Sequence, residues 1–309
     1  MKLTAYSVLS DLNEDACTAL REVGINLTLA SSSIRPDENE LIQLVQKYDI
    51  LIIGAKEKMT KKVFDSCTKA KIIGTLSVGL DHFCSDFLSS EKIKIINCPT
   101  SNTVSVAEHT FALLLSLKKK IIDGNNSSID GSGRAGINGY SRDLFGSTIG
   151  VIGAGNIASE VIKIAQVFNM KILCFTRTPE AHTNLSKYGV AFVDLDILLL
   201  QSDIVTIHLP LNGETKNILD STRIDLMKEN ATFINTSRAA LVDVPYLLSR
   251  ADKYKQFMIG MDIDIDDYKE LISKERSNII ITPHIAGVSL DAILRMDIDL
   301  AKSICNVII

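Results

Sequence analysis

Two glycines one residue apart, set behind an apolar run, are the residues of this chain best placed to do chemistry. Thr148-Ile149-Gly150-Val151-Ile152 leads into Gly153-Ala154-Gly155-Asn156-Ile157-Ala158. This reads as a buried strand, a tight turn and the first turn of a helix. Glycine is required where the chain turns sharply and where backbone must come close to a pyrophosphate. The helix start then offers unpaired N–H groups and a partial positive charge to that phosphate. Alone, the hexapeptide also fits an ordinary glycine-rich turn. Its surroundings favour the phosphate. Val161, Ile162, Ile164, Ala165 and Val167 form a helical apolar face, and Lys171-Ile172-Leu173-Cys174-Phe175 forms a second strand. Together they make a βαβ unit sized for a dinucleotide.

A parallel sheet must hold this turn. Further strands are expected at Asp203–His208, Thr232–Asn235, Met258–Ile263 and Ile279–Thr282. The first hundred residues alternate in the same way, with strands at Leu3–Val8, Ile25–Ala30, Ile50–Ile53, Ile72–Leu76 and Ile93–Ile96. Helical patterns lie between them at Glu14–Val23, after Pro36-Asp37-Glu38, and at Thr60–Cys67. Alternation of this kind implies helices flanking parallel strands. A long helix is expected over Ser105–Ile121, ending in Lys118-Lys119-Lys120, which suits a helix C-terminus. Asp123 to Gly146, rich in Gly, Ser and Asn, reads as a loop or arm. The last helical pattern, Ser289–Val307, comes too late for the second sheet and is expected to pack on the first domain. The fold class is α/β: two Rossmann-like, doubly wound parallel-sheet domains with a cleft between them. One domain is 1–103 plus 285–309, flavodoxin-like; the other, 104–284, binds the dinucleotide.

Composition narrows the function classes. With 46% apolar and 23% charged residues, the 309-residue chain is a soluble globular protein able to bury sizeable cores. Its net charge of −4 argues against a nucleic-acid partner. The stretch Phe111–Leu117 falls far short of the about 20 apolar residues that span a bilayer, so no membrane partner is expected. Six cysteines without C-x-x-C spacing read as reduced thiols, with no metal site and no disulfide framework. Asp11, Glu14 and Asp15 near the start leave no secretory signal, and a cytoplasmic location follows.

Five separated segments carry a resemblance. They are Ser77-Val78-Gly79-Leu80-Asp81-His82; Asn102-Thr103-Val104-Ser105-Val106-Ala107-Glu108-His109-Thr110; the glycine turn; Ile234-Asn235-Thr236-Ser237-Arg238 with Leu241-Val242-Asp243; and Thr282-Pro283-His284-Ile285-Ala286-Gly287. In this order the chain resembles the NAD(P)-dependent D-2-hydroxyacid dehydrogenases, over nearly its whole length. The resemblance makes the first domain the substrate domain. It implies that Arg238 binds the carboxylate and carbonyl of a small 2-oxo acid, for which a planar guanidinium fork is well suited. It implies that His284 is the general acid in reduction and the base in oxidation. Strand-end arginines usually make surface ion pairs and lone histidines usually pack in cores, but here the flanking motifs match on both sides. His82 and His109 fall in family motifs as supporting residues.

The family's third catalytic group is a glutamate paired with the histidine, lying before a proline. Here Met261-Asp262-Ile263-Asp264-Ile265-Asp266-Asp267-Tyr268-Lys269-Glu270 has no proline. Counting from Arg238 makes Asp262 the nicotinamide-side aspartate and puts Asp267 at the glutamate's place; a register shift would select Glu270 instead, and a third reading leaves the histidine without a carboxylate partner.

Cofactor contacts implied by the resemblance are Gly153, Gly155, Asn156, Ile157, His208-Leu209-Pro210, Thr215, Thr236, Ser237, Asp262 and Gly287. For the ribose, an NAD enzyme places an acid at the end of the second strand. This chain has Thr176-Arg177-Thr178 there, a cation between two hydroxyls. NADP(H) is therefore expected in preference to NAD(H), as in the glyoxylate and hydroxypyruvate reductases. Substrate contacts are expected from the Val78-Gly79 backbone and Lys56. A homodimer is implied, although the arm lacks the family's tryptophan and offers Tyr140 instead. The glycines that usually follow the catalytic arginine are Ala239-Ala240. Two other functions stay open: a dinucleotide-sensing, corepressor-like regulator on the same fold, and an NAD-dependent phosphoglycerate dehydrogenase, here expected without an appended regulatory domain.

Overall fold

The computed structural model describes residues 3–264, 268–269 and 276–308. The chain divides into two compact units, residues 1–102 with 288–309, and 103–287. Each is a parallel sheet flanked by helices, so the expected fold class holds. Among the described residues, no helix is long and apolar enough to cross a membrane.

The first unit has strands β1 (Thr4–Ser7), β2 (Asn26–Leu29), β3 (Ile50–Ile53), β4 (Ile72–Thr75) and β5 (Lys94–Ile96), in the order β2-β1-β3-β4-β5. All four pairings are parallel. Every residue of β3 is buried, which is why a continuous apolar run marks a central strand. The last helix, Leu290–Ile308, lays Ala292, Met296, Leu300, Ala301 and Ile304 into the same core as Ala16, Cys17 and Leu20.

The second unit holds β6 (Thr148–Ile152), β7 (Lys171–Phe175), β8 (Val190–Phe192), β9 (Ile204–Ile207), β10 (Thr232–Asn235), β11 (Met258–Asp262) and β12 (Ile279–Thr282). Their order is β12-β11-β10-β9-β6-β7-β8, all parallel. The winding reverses at β6: from there the chain steps out to β7 and β8, then returns to β9 on the other side. Ligands of open α/β sheets bind at such a reversal, beyond the carboxyl ends of the strands. The glycine turn leaves β6 at that point.

The expected helix over Ser105–Ile121 is corrected. It runs Thr103–Lys118, and a second helix, Ile121–Ile129, extends into the stretch read as loop. Lys120 between them is left-handed, with φ 54°, a conformation that cannot continue an α-helix. Gly124, Asn125 and Asn126 are poor helix formers. Local bonds compensate: Ser127 and Ser128 both donate their hydroxyls to the Gly124 carbonyl.

Lys118 gives a test of packing in the long helix. Its side chain is buried, and desolvation, aided by Arg142, pushes the ammonium down to about 8. Below pH 8 both folded and unfolded chains are protonated there, and only the folded chain bears the cost of the buried charge. Stability from this group therefore rises between about pH 8 and the unfolded value near 10.5, and is lost again as pH falls. Lys118→Met is expected to add roughly 2–3 kcal/mol at neutral pH and to flatten that rise, as read by thermal melts at pH 7 and 10. A lower melting temperature at pH 7 would show that the charge is not penalised.

Candidate active site

The structure builds the glycine turn from two constraints. Gly153 has φ +105°, and a Cβ there would lie 2.5 Å from the His208 carbonyl oxygen. Backbone of the β9 end and the turn thus approach as only glycine permits. Gly155 caps the helix Asn156–Val167 without a side-chain bond, and a Cβ on it would meet nothing within 4 Å. The open space lies beside the N-terminal N–H groups of Asn156, Ile157 and Ala158, a cradle that fits a pyrophosphate. The residues present therefore fit a dinucleotide.

Beyond β9, His208 is 8% exposed. Burial pushes its imidazole down to about 3, so it is neutral at ordinary pH. Its Nε2 pairs with the Thr206 hydroxyl at 2.9 Å, while Nδ1 has no partner among the described residues. Leu209 is half-buried and Pro210 exposed. Thr215, expected at the cofactor, staples its own loop: its hydroxyl donates to the Pro210 carbonyl at 2.6 Å and accepts from the Asn212 N–H at 2.9 Å.

Beyond β10, Asn235 is buried and clips the chain that follows. Its Oδ1 accepts from the Ser237 N–H and its Nδ2 donates to the Arg238 carbonyl, both at 2.9 Å. The Ser237 hydroxyl donates to the Ile207 carbonyl, and the Thr236 hydroxyl pairs with that of Thr110. Arg238 is half-buried, and one guanidinium nitrogen donates to the Ser237 carbonyl at 3.1 Å.

Beyond β11 and β12 lies a clamp. The sheet register sets Asp262 beside Thr282. Asp262 is 1% exposed; its Oδ1 accepts from the Thr282 hydroxyl (2.6 Å) and the Ile285 N–H (2.8 Å), and its Oδ2 from the Ala286 N–H (2.8 Å). The carboxylate read as a cofactor contact thus grips the loop that carries His284. His109 joins the clamp, with Nε2 2.9 Å from the Thr282 hydroxyl. Since that hydroxyl donates to Asp262, His109 is assigned as the donor to it. His284 itself is exposed and left-handed, with φ 55°. Gly287, next in this loop, is half-buried. Asp267 and Glu270 lie outside the described residues.

Thr176 ends half-buried beyond β7, and Arg177 and Thr178 are exposed. The Arg177 guanidinium pairs with Glu214, an acid that lies in the loop beyond β9. Nothing in the sequence tied these two residues, 37 positions apart, to one another. The available signal was an acid in the loop after a strand that borders the glycine turn.

At the carboxyl end of the first unit's sheet, Lys56 is exposed and the Val78-Gly79 turn is half-buried. The Val78 carbonyl accepts from Asn97 Nδ2 and the Gly79 carbonyl from the Ser77 hydroxyl. The N–H groups of Val78 and Gly79 find no acceptor among the described residues.

Known proteins resemble the chain over both units. The family model for the NAD binding domain of D-isomer specific 2-hydroxyacid dehydrogenases matches residues 111–286. A hydroxypyruvate reductase of Thermotoga maritima is 29% identical, covering 87% of each chain. A D-3-phosphoglycerate dehydrogenase of Methanocaldococcus jannaschii is 31% identical over 90% of this chain and 52% of its own. The chain spans about half the length of the phosphoglycerate dehydrogenases it matches, 49% for that of Synechocystis. Among solved structures, an acyclic imino acid reductase in complex with NADPH and D-Arg superposes with a TM-score of 0.85 at 26% identity, covering 99% of this chain and 97% of that one. A D-lactate dehydrogenase from Aquifex aeolicus, complexed with NAD and lactic acid, gives 0.82 at 27% identity, covering 99% and 95%. With the glycine turn, the Asn235-clipped arginine and the clamped histidine loop all in place, the chain belongs to the D-isomer specific 2-hydroxyacid dehydrogenase family.

Proposed function

We propose that this chain is an NADPH-dependent reductase of a small 2-oxo acid, forming the D-2-hydroxy acid, of the hydroxypyruvate or glyoxylate type. One observation carries the reading. Thr236–Arg238, Asp262 and Thr282–Ala286 emerge from the carboxyl ends of three adjacent strands, on the sheet edge where the glycine turn also emerges. The dinucleotide supplies the hydride. Arg238 binds the substrate's carboxylate and polarises its carbonyl, its conformation set by the Asn235 clip. His284 gives its proton to the carbonyl oxygen and recovers it in the reverse reaction. Asp262, with Thr282 and His109, holds the loop so that the imidazole is presented rather than packed. Asp267, or Glu270 in a shifted register, is the carboxylate proposed to favour the charged histidine. In the first unit, the same reading assigns substrate contacts to the Val78 and Gly79 N–H groups and to Lys56. Exposed Ile121, Ile129 and Tyr140 support a homodimer.

The relatives with NADPH and with NAD leave the cofactor to be argued from this chain, and Thr176-Arg177-Thr178 favours the 2′-phosphate. The test is a spectrophotometric screen of purified protein with NADPH and NADH against a panel of 2-oxo acids. NADPH is expected to give the higher kcat/KM. Arg177→Ala is expected to cost about ten- to a hundredfold with NADPH, the scale of a hydrogen bond to a charged group, and little with NADH. Equal losses with both cofactors would remove Arg177 from this role.

A further inference from the structure

The carboxylate that the end of β7 lacks is supplied from elsewhere in the fold. Arg177 stands two residues past β7, Glu214 stands in the loop past β9, and β6 lies between those strands. Neighbouring strands are about 4.8 Å apart, so the pair closes a gap of two strand spacings across the sheet edge where Gly153-Ala154-Gly155 emerges. Glu214 is not loosely held. Asn212 Oδ1 accepts the N–H groups of both Glu214 (2.9 Å) and Thr215 (3.0 Å), and buried Thr215 pins the same loop to Pro210. The charged ends, by contrast, are 71% and 72% exposed. An exposed ion pair of this kind is weak and exchanges its partner readily.

We propose that Glu214 sets the cofactor preference: it holds Arg177 across the glycine turn, accepts the ribose 2′-hydroxyl of an unphosphorylated cofactor, and is displaced from Arg177 by a 2′-phosphate. A phosphate monoester brings nearly two charges and three acceptor oxygens to Arg177, where Glu214 brings one charge and two. It therefore wins the guanidinium. Glu214 then faces a like charge, so it lowers the advantage of the phosphorylated cofactor without abolishing it. The inference rests on the reading of Arg177 given above.

The experiment is calorimetric titration of the full chain with adenosine 2′,5′-bisphosphate and with ADP, which carries a free 2′-hydroxyl. Glu214→Gln is expected to tighten adenosine 2′,5′-bisphosphate about three- to tenfold at low salt, with the gain shrinking at 1 M salt, and to leave ADP unchanged or weaker. In turnover, the ratio of kcat/KM for NADPH over NADH should rise by at least the same factor. Equal tightening of both ligands, or no change in either, would overturn the role of Glu214. Arg177→Ala separates the two readings. If it leaves adenosine 2′,5′-bisphosphate at the wild-type affinity, the reading of Arg177 fails and this inference goes with it. If it weakens that ligand while Glu214→Gln changes neither, the inference about Glu214 alone is lost.

Discussion

Replacing His284 with alanine is expected to lower kcat for 2-oxo acid reduction about 10²–10⁴-fold, with nucleotide affinity unchanged. The separation is expected because the residues read as holding the pyrophosphate and the ribose follow β6 and β7, whereas His284 follows β12 at the far edge of the sheet. Arg238→Lys complements it. Lysine keeps the charge but loses the planar fork, and its loss of kcat/KM, about ten- to a hundredfold, would fall on substrate recognition. Stopped-flow single turnovers with NADPH, together with nucleotide titrations, check both. Near-normal kcat in His284→Ala would end the general-acid assignment and strengthen the regulatory alternative.

The second large effect belongs to the glycine turn, where two alanine substitutions should fail differently. Gly153→Ala places a Cβ 2.5 Å from a backbone oxygen at φ +105°. That oxygen is backbone and not the end of a flexible side chain, so the turn must distort, at a cost of about 2–5 kcal/mol from backbone strain and overpacking together. Loss of thermal stability and of ADP binding should appear together. Gly155→Ala has an ordinary backbone and open space around the added Cβ. Its fold should persist, while dinucleotide affinity falls at least about tenfold, because the methyl group takes space that the phosphate requires. Wild-type ADP affinity in Gly155→Ala would mean that the pyrophosphate does not approach this helix start.

The sheets were legible because most of their strands are short, largely apolar runs. Ile50–Ile53, Thr232–Asn235 and Ile279–Thr282 have the bounds read from sequence. Edge strand β8 was missed, since Val190–Phe192 is three residues long and only partly buried. The helix Ile121–Ile129 was missed because its composition opposes it and two serine hydroxyls support it. The residues proposed for chemistry were named from motifs, but their partners were not. That Asp262 reaches Ile285 and Ala286 follows from the pairing register of β11 with β12, which no local pattern reveals. That Glu214 meets Arg177 follows from strand order, a long-range property of the sheet.

The left-handed backbone at position 284 has a consequence for how the protein would change under selection. A non-glycine residue there carries about 1–2 kcal/mol of steric cost, and the exposed imidazole does not recover it by burial. A library selected for thermal resistance alone should drift at this position toward glycine or asparagine, and a library selected for turnover should keep histidine. Divergence of the two pools at a single codon would separate what the fold tolerates from what the reaction demands.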